Sequence, residues 1–137
     1  MNKILLIITG SIAASRCKEI IALLNINEVK ISCILTKEAK KYTKISEIKK
    51  LLKNRIFDDE DEKKNKMLHI NLSRHNDIIV VCPATANSIA KFANGYGDNL
   101  ASNTLLASNK KIFFVPAMNS FMWHNNCLLY TSPSPRD

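Results

Sequence analysis

Hydrophobic and polar positions along this chain come in blocks whose period changes. Ile4-Leu5-Leu6-Ile7-Ile8 is an unbroken apolar run, entered from Met1-Asn2-Lys3 and closed by polar Thr9. A short run so rich in Ile reads as a strand buried on both faces, over residues 3–9. A secretory leader can also set a lysine before a short apolar segment. Here a helical pattern follows with no cleavage-type site, which favours the strand. Gly10-Ser11 makes a tight turn. Residues 12–24 then place Ala13, Cys17, Ile20, Ile21 and Leu24 at helical spacing. Val29 to Leu35 is a second strand, ending at Thr36. Strand, helix, strand in this order predicts a parallel pair with a right-handed crossover.

Further on, Lys37–Tyr42 fits one or two helical turns, and Ser46–Leu52 is helical with Ile48, Leu51 and Leu52 on one side. Lys53–Lys66 is charged enough to read as a surface loop. Met67–Arg74 leads into a third strand, Asp77–Cys82, which Pro83 stops. Thr85 to Ala93 reads as a helix with Ile89, Ala90 and Phe92 inward. A loop follows at Asn94–Gly97, and Asp98 is placed to cap a helix running through Ala107. Lys111–Val115 is the next strand, ended by Pro116. The alternation predicts an α/β fold: an open, mostly parallel sheet with helices on both faces. Ligands of such sheets bind beyond the carboxyl ends of the strands. That rule gathers Thr9–Ile12, Thr36, Pro83–Ser88 and Pro116–Asn119 around one crevice.

The 137 residues suffice for one domain, and 46% of them are hydrophobic. No apolar run approaches the roughly 18 residues that cross a bilayer, so no membrane is expected as a partner. The formal charge of +8 invites a nucleic-acid reading. The lysines between Lys37 and Lys66 argue against it, because they adjoin the acidic run Asp58-Asp59-Glu60-Asp61-Glu62 and carry no interleaved aromatic residues for stacking. A solvated basic surface, compatible with anionic small molecules, is the expectation. The cysteines at 17, 33, 82 and 127 form no C-x-x-C pair, so neither a zinc site nor a redox pair is signalled. Cys33 and Cys82 fall in predicted buried strands, and a reducing cytoplasm is the compartment that fits. Cys127 to Asp137 departs abruptly in composition from the Lys/Asn-rich body. It is expected to be a non-native tail behind a single domain of residues 1–126, a native Pro-rich linker being the alternative.

Four stretches carry candidate chemistry. Gly10-Ser11-Ile12-Ala13-Ala14 joins a strand to a helix, where free N–H groups suit a phosphate; an ordinary structural turn fits equally well. It lacks the G-x-G-x-x-G pattern, which favours a mononucleotide over a dinucleotide. Pro83-Ala84-Thr85-Ala86-Asn87-Ser88 sets three small polar side chains at another helix start. Thr85 alone would serve as a cap, so the set leaves both capping and ligand binding open. His69, between Leu68 and Ile70, is either a core histidine or a proton carrier. Pro116-Ala117-Met118-Asn119-Ser120-Phe121-Met122-Trp123 places Asn119 among soft apolar residues. That suits either a loop over the core or a wall for a planar cofactor. No histidine sits at metal-ligand spacing, and no metal is expected.

Taken together, Gly10-Ser11-Ile12-Ala13-Ala14, Leu68-His69-Ile70-x-Leu72, Pro83-Ala84-Thr85-Ala86-Asn87-Ser88-Ile89-Ala90-Lys91 and Pro116-Ala117-Met118-Asn119-x-x-Met122-Trp123 resemble the flavin-containing cysteine decarboxylases in order and spacing. The resemblance covers residues 3 to about 126. It is greater to the flavoprotein part of the bacterial bifunctional coenzyme A enzymes than to the lantibiotic decarboxylases. It implies a flavodoxin-like, Rossmann-like three-layer sandwich, FMN, and a homo-trimer or dodecamer with the flavin near a subunit interface. It also implies a synthetase domain in the full-length protein and a carbon–carbon lyase acting on 4′-phosphopantothenoylcysteine. By the same resemblance Gly10, Ser11, Ile12, Thr36, Thr85, Ala86, Asn87 and Ser88 contact FMN, and Ala117 and Met118 lie near it. Asn119 and Met122 engage substrate, and His69 is the active-site histidine. The chain departs from the family pattern at Gly97 and Asn99. It also lacks the family's later segment, which holds a proton-donating cysteine and a lid. The sequence as it stands is therefore expected to be partial or inactive. A peptidyl-cysteine decarboxylase and a non-catalytic flavin-binding regulatory subunit are the alternatives.

Overall fold

A β-branched apolar run at the N-terminus becomes the middle of the sheet. In the computed structural model, which describes residues 3–10, 12–27, 29–52 and 55–116, β1 spans Lys3–Ile8 and is paired on both sides. β2 (Lys30–Leu35) flanks it in the register Ile4↔Ile31 to Ile8↔Leu35. On its other side β4 (Ile78–Ala84) pairs Ile4↔Ile78 to Ile7↔Val81. The outer strands are β3 (Ile56–Phe57) and β5 (Lys111–Pro116). The order is β3-β2-β1-β4-β5, and every pairing is parallel. The open parallel sheet expected from the block pattern is the sheet observed, and it is the flavodoxin-like arrangement that the resemblance implies.

Alternate residues of β1 face opposite layers. Leu6 and Ile8 join Ile31, Cys33 and Leu35 under α1 (Cys17–Ile26) and α2 (Ile45–Leu52), where Cys17, Ile21, Ile48 and Leu52 are buried. Leu5 and Ile7 join Ile79, Val81 and Ile112 under α4 (Leu68–Arg74), α5 (Ala86–Ala93) and α6 (Leu100–Ala107), where Leu68, Leu72, Ile89, Leu100 and Leu105 close the other core. Each fully buried Leu or Ile contributes about 1.5–3 kcal/mol, so the two layers account for most of the packing energy. Because the chain runs outward from β1 through β2 to β3 and then returns to β4 on the far side, a crevice opens between the carboxyl ends of β1 and its neighbours.

Several expectations are corrected. Lys53–Lys66 is not a plain loop: it contains β3 and α3 (Asp59–Lys64). Asp58 caps α3 by accepting from Glu60 N and Asp61 N, while Asp61 returns a carboxylate to Asp58 N, and this reciprocal box overrides the charge density. Pro83 does not stop β4, which runs on to Ala84 through a cis Cys82–Pro83 bond, the pairing with β5 shifting between Val81 and Ala84. Residues 12–16 form a 3-10 turn ahead of α1, and Ile20 on α1 is exposed rather than buried. Asn99, not Asp98, caps α6: Asn99 Oδ1 accepts from Ser102 N, while Asp98 is drawn to Lys91. The proposed tail, residues 127–137, lies outside the described residues.

Candidate functional site

Three strand ends meet at the crevice. At the end of β1, Thr9 is buried and its hydroxyl donates to the carbonyl of Pro83, tying β1 to the last residues of β4. At the end of β2, Thr36 N and Thr36 Oγ1 both donate to Ile8 O, at 3.2 and 3.0 Å. Thr36 Oγ1 also accepts from Ala39 N at 3.3 Å. The Thr36 hydroxyl is therefore committed to holding two strand ends side by side. Gly10 lies against the turn that follows: a Cβ built on it would stand 2.3 Å from Glu38 Cβ and 3.1 Å from the Glu38 carbonyl carbon. Backbone cannot yield as a flexible side-chain tip can, so only glycine allows this approach.

At the end of β4, Thr85 and Ser88 form a capping box. Ser88 N donates to Thr85 Oγ1 at 3.1 Å, and Thr85 N donates to Ser88 Oγ at 3.0 Å. Both hydroxyls are thus used within the cap. What α5 turns outward is the pair of N–H groups at Ala86 and Asn87, which have no intrahelical acceptor, and the exposed amide of Asn87. The positive end of the helix dipole lies there too.

These ends line one cavity of about 240 Å³. That is below the roughly 300–1,000 Å³ of a pocket enclosing a whole small molecule, enough for part of a larger ligand. Its floor is apolar, from Ile7, Val81, Phe92 and Leu105; its rim includes Gly10, Thr36, Thr85, Asn87 and Ser88. An apolar slot with a polar rim suits a planar aromatic group bearing a phosphate, so the donor set fits FMN. Ile12 begins the 3-10 turn and Ala86 begins α5; Ala86 is not among the lining residues. Ser11, Ala117, Met118, Asn119 and Met122 lie outside the described residues.

The crevice also uses residues that the sequence reading does not assign to the site: Glu38, Tyr42, Lys91 and Ser102, together with Asn99. Lys91 stands one helical turn after Asn87, at i+4 on the same face, a spacing that could have flagged it. Lys91 Nζ pairs with Asp98 Oδ2 at 3.0 Å and lies 6.0 Å from the centroid of the Tyr96 ring. The hydrogen bond from Lys91 holds the Asp98 carboxyl below the usual carboxylate range, and Lys41 does the same for Glu38. Glu38 at the rim and Asp98 next to the rim residue Asn99 are thus each matched by a lysine.

His69 is not in this cavity. It sits on the first turn of α4, its Nδ1 3.7 Å from Glu62 Oε2 of α3. That nitrogen is buried and has no hydrogen-bond partner among the described residues, while the side chain as a whole is 26% exposed. Beneath the opposite face, Cys17 donates its thiol to the carbonyl of Cys82 at 3.2 Å. Hydrogen bonding with Cys82 and burial push the Cys17 thiol far up, and burial alone does so for Cys33, so both are inert as nucleophiles. Among the described residues, no group of three or more His, Cys, Asp or Glu side chains is placed to hold a metal ion, and no helix is long and apolar enough to cross a membrane.

Comparison with known proteins points the same way. The model of the family described as Flavoprotein matches residues 1–130. A probable phosphopantothenoylcysteine decarboxylase of Streptococcus mutans is 31% identical over 128 residues, 90% of this chain and 72% of that protein. The coenzyme A biosynthesis bifunctional protein of Haemophilus influenzae is 33% identical over 121 residues, 87% of this chain but 30% of that longer protein. Among solved structures, a mutant PPC decarboxylase complexed with pantothenoylaminoethenethiol superposes with a TM-score of 0.79 at 30% identity, covering 95% of this chain and 76% of that one. The peptidyl-cysteine decarboxylase EpiD gives 0.82 at 31% identity, covering 96% and 79%.

Proposed function

Because the chain belongs to the Flavoprotein family, we propose that it holds FMN in the crevice beside β1 and decarboxylates 4′-phosphopantothenoylcysteine to 4′-phosphopantetheine, a step of coenzyme A biosynthesis. The cofactor is FMN and the enzyme is a decarboxylase. The observation that carries the reading is the convergence of Gly10, Thr36, Thr85, Asn87 and Ser88 on one cavity at the carboxyl ends of β1, β2 and β4.

Each residue's task follows from its chemistry. Gly10 lets backbone approach the ligand without a side chain in the way. Ser11 and Ile12 join Gly10 in contacting the cofactor. The N–H groups of Ala86 and Asn87, at the positive end of α5, receive phosphate oxygens. Thr85 and Ser88 keep that helix end open by capping each other, and Thr36 holds β2 beside β1. Ile7, Val81, Phe92 and Leu105 keep water from the ring. Bound FMN supplies the redox step that gives a simple cysteine carboxylate its electron sink. His69 moves the proton, and Asn119 holds the carboxylate with Met122 packed on the substrate; Ala117 and Met118 sit near the flavin. His69 stands apart from the cavity that its own chain offers, which accords with a homo-trimer, or a dodecamer of trimers, whose sites form near subunit interfaces.

A second reading, decarboxylation of a peptide's C-terminal cysteine, is favoured by the likeness to EpiD. One assay separates the two. The full-length protein purifies yellow and releases carbon dioxide from 4′-phosphopantothenoylcysteine in preference to a cysteine-terminated peptide. His69→Asn lowers release by at least about 100-fold while the flavin absorbance stays. A colourless protein sinks the flavin assignment, and preference for the peptide transfers the function to the second reading.

A further inference from the structure

The proton-handling histidine has a neighbour that no sequence motif includes. Glu62 lies on α3, a helix docked onto α6 at two points. Leu100 N donates to Asp59 Oδ1 at 3.0 Å, and Asn103 Nδ2 donates to the Glu62 carboxylate at 3.3 and 3.4 Å to its two oxygens. The carboxylate is thereby turned toward α4, where His69 Nδ1 stands 3.7 Å away, buried and without a hydrogen-bond partner among the described residues. A buried ring nitrogen left unpaired is costly. A side-chain adjustment of about 1 Å brings the pair to hydrogen-bond distance.

Gly97 makes room for this arrangement. A Cβ at Gly97 would stand 2.6 Å from Asn103 Oδ1 and 2.9 Å from Leu106 Cδ1. A larger residue there displaces Asn103, and with it the grip on Glu62.

We propose that Glu62, held by Asn103, is a positioning residue for His69: it accepts a hydrogen bond from Nδ1–H, fixes the ring, and leaves Nε2 as the nitrogen that exchanges the proton with substrate. A carboxylate selects this tautomer because it can only accept. The inference rests on the proton-transfer role assigned to His69 above.

The test reads the tautomer directly. In full-length, 15N-histidine-labelled protein at about pH 9, where an ordinary histidine is neutral, the His69 signal is identified by its loss in His69→Asn. The wild type carries its proton on Nδ1. In Glu62→Gln the Nε2–H form gains population, and kcat falls about 10-fold while KM changes less than about twofold. Glu62→Asp partly restores kcat, and Gly97→Ala moves the tautomer in the same direction as Glu62→Gln without touching Glu62. A wild-type proton on Nε2, an unchanged tautomer in Glu62→Gln, or a shifted tautomer with full kcat overturns the proposal. Failure of the wild type to decarboxylate is the separate failure of the functional reading, since the NMR arm needs no turnover.

Discussion

The crevice rim and the charged segment from Arg55 to Lys66 meet at Asn99, which lines the cavity on each side, yet they are held by different means. The start of α5 is held locally, since Thr85 and Ser88 cap the helix they begin, while the strand ends beside it are tied across the sheet by Thr36 to Ile8 O and Thr9 to Pro83 O. The charged segment is held at a distance. Asp59 and Glu62 each reach a partner 41 residues away on α6, at Leu100 N and Asn103. The cap of α5 thus forms from its own first turn, whereas α3, and with it Glu62 beside His69, is placed by residues of a distant helix.

Four substitutions or conditions probe that contrast. The largest effect is expected at Gly10→Ala. Its Cβ would meet the Glu38 backbone, so unfolding free energy falls by about 2–3 kcal/mol and the gain in Tm on adding FMN shrinks. A variant that melts like the wild type would mean that the close approach is not structural. Next comes Asp58→Ala, which removes the acceptor for Glu60 N and Asp61 N and the partner of Lys40 at 2.8 Å. A loss of about 1–2 kcal/mol is expected, with faster amide exchange confined to residues 58–64. Exchange that stays slow there would show that docking on α6, not the cap, holds α3.

Thr85→Ala should cost about 1 kcal/mol and loosen the start of α5, detected by urea unfolding. No loss would show that Ser88 caps alone. The smallest effect is the pH dependence from Asp58. Burial raises its pKa, but the bonds from Lys40 and from the Asp61 backbone outweigh burial and hold it below the ordinary carboxylate value. A depressed folded pKa contributes stability that is present above the unfolded value of about 3.9 and is lost as pH falls through the folded one. Wild-type stability should therefore fall more than that of Asp58→Asn as pH drops below about 4. Parallel curves would mean that the Lys40 pair adds nothing.

The same contrast explains what the sequence made legible. Ile4–Ile8 reads as a strand because an apolar run of that length has few other uses, and the junctions after β1, β2 and β4 follow from strand order alone. The crevice was foreseeable for that reason, Gly10, Thr36, Thr85, Asn87 and Ser88 included. Asp58–Lys64 was not, because its helix depends on a reciprocal cap and on docking to distant residues, and charge density hides both. The residue pattern places Asp98 to cap α6, but Lys91 claims its carboxylate and Asn99 takes the cap. Glu38 and Tyr42 belong to the site through the fold of a turn that carries no motif. Pro83, a strand breaker by ordinary rules, sits within β4 through a cis bond that the residue pattern does not announce.

The central claim is that the strand-end junctions around β1 form one flavin site. Titration of the 15N-labelled protein with FMN tests it most directly. The account predicts saturable binding, with the largest amide shifts at Gly10, Thr36, Ala86, Asn87 and Ser88 and little change at Lys30, His75 and Asn76 at the opposite end of the sheet. Absence of binding, or shifts centred on that opposite end, would contradict it.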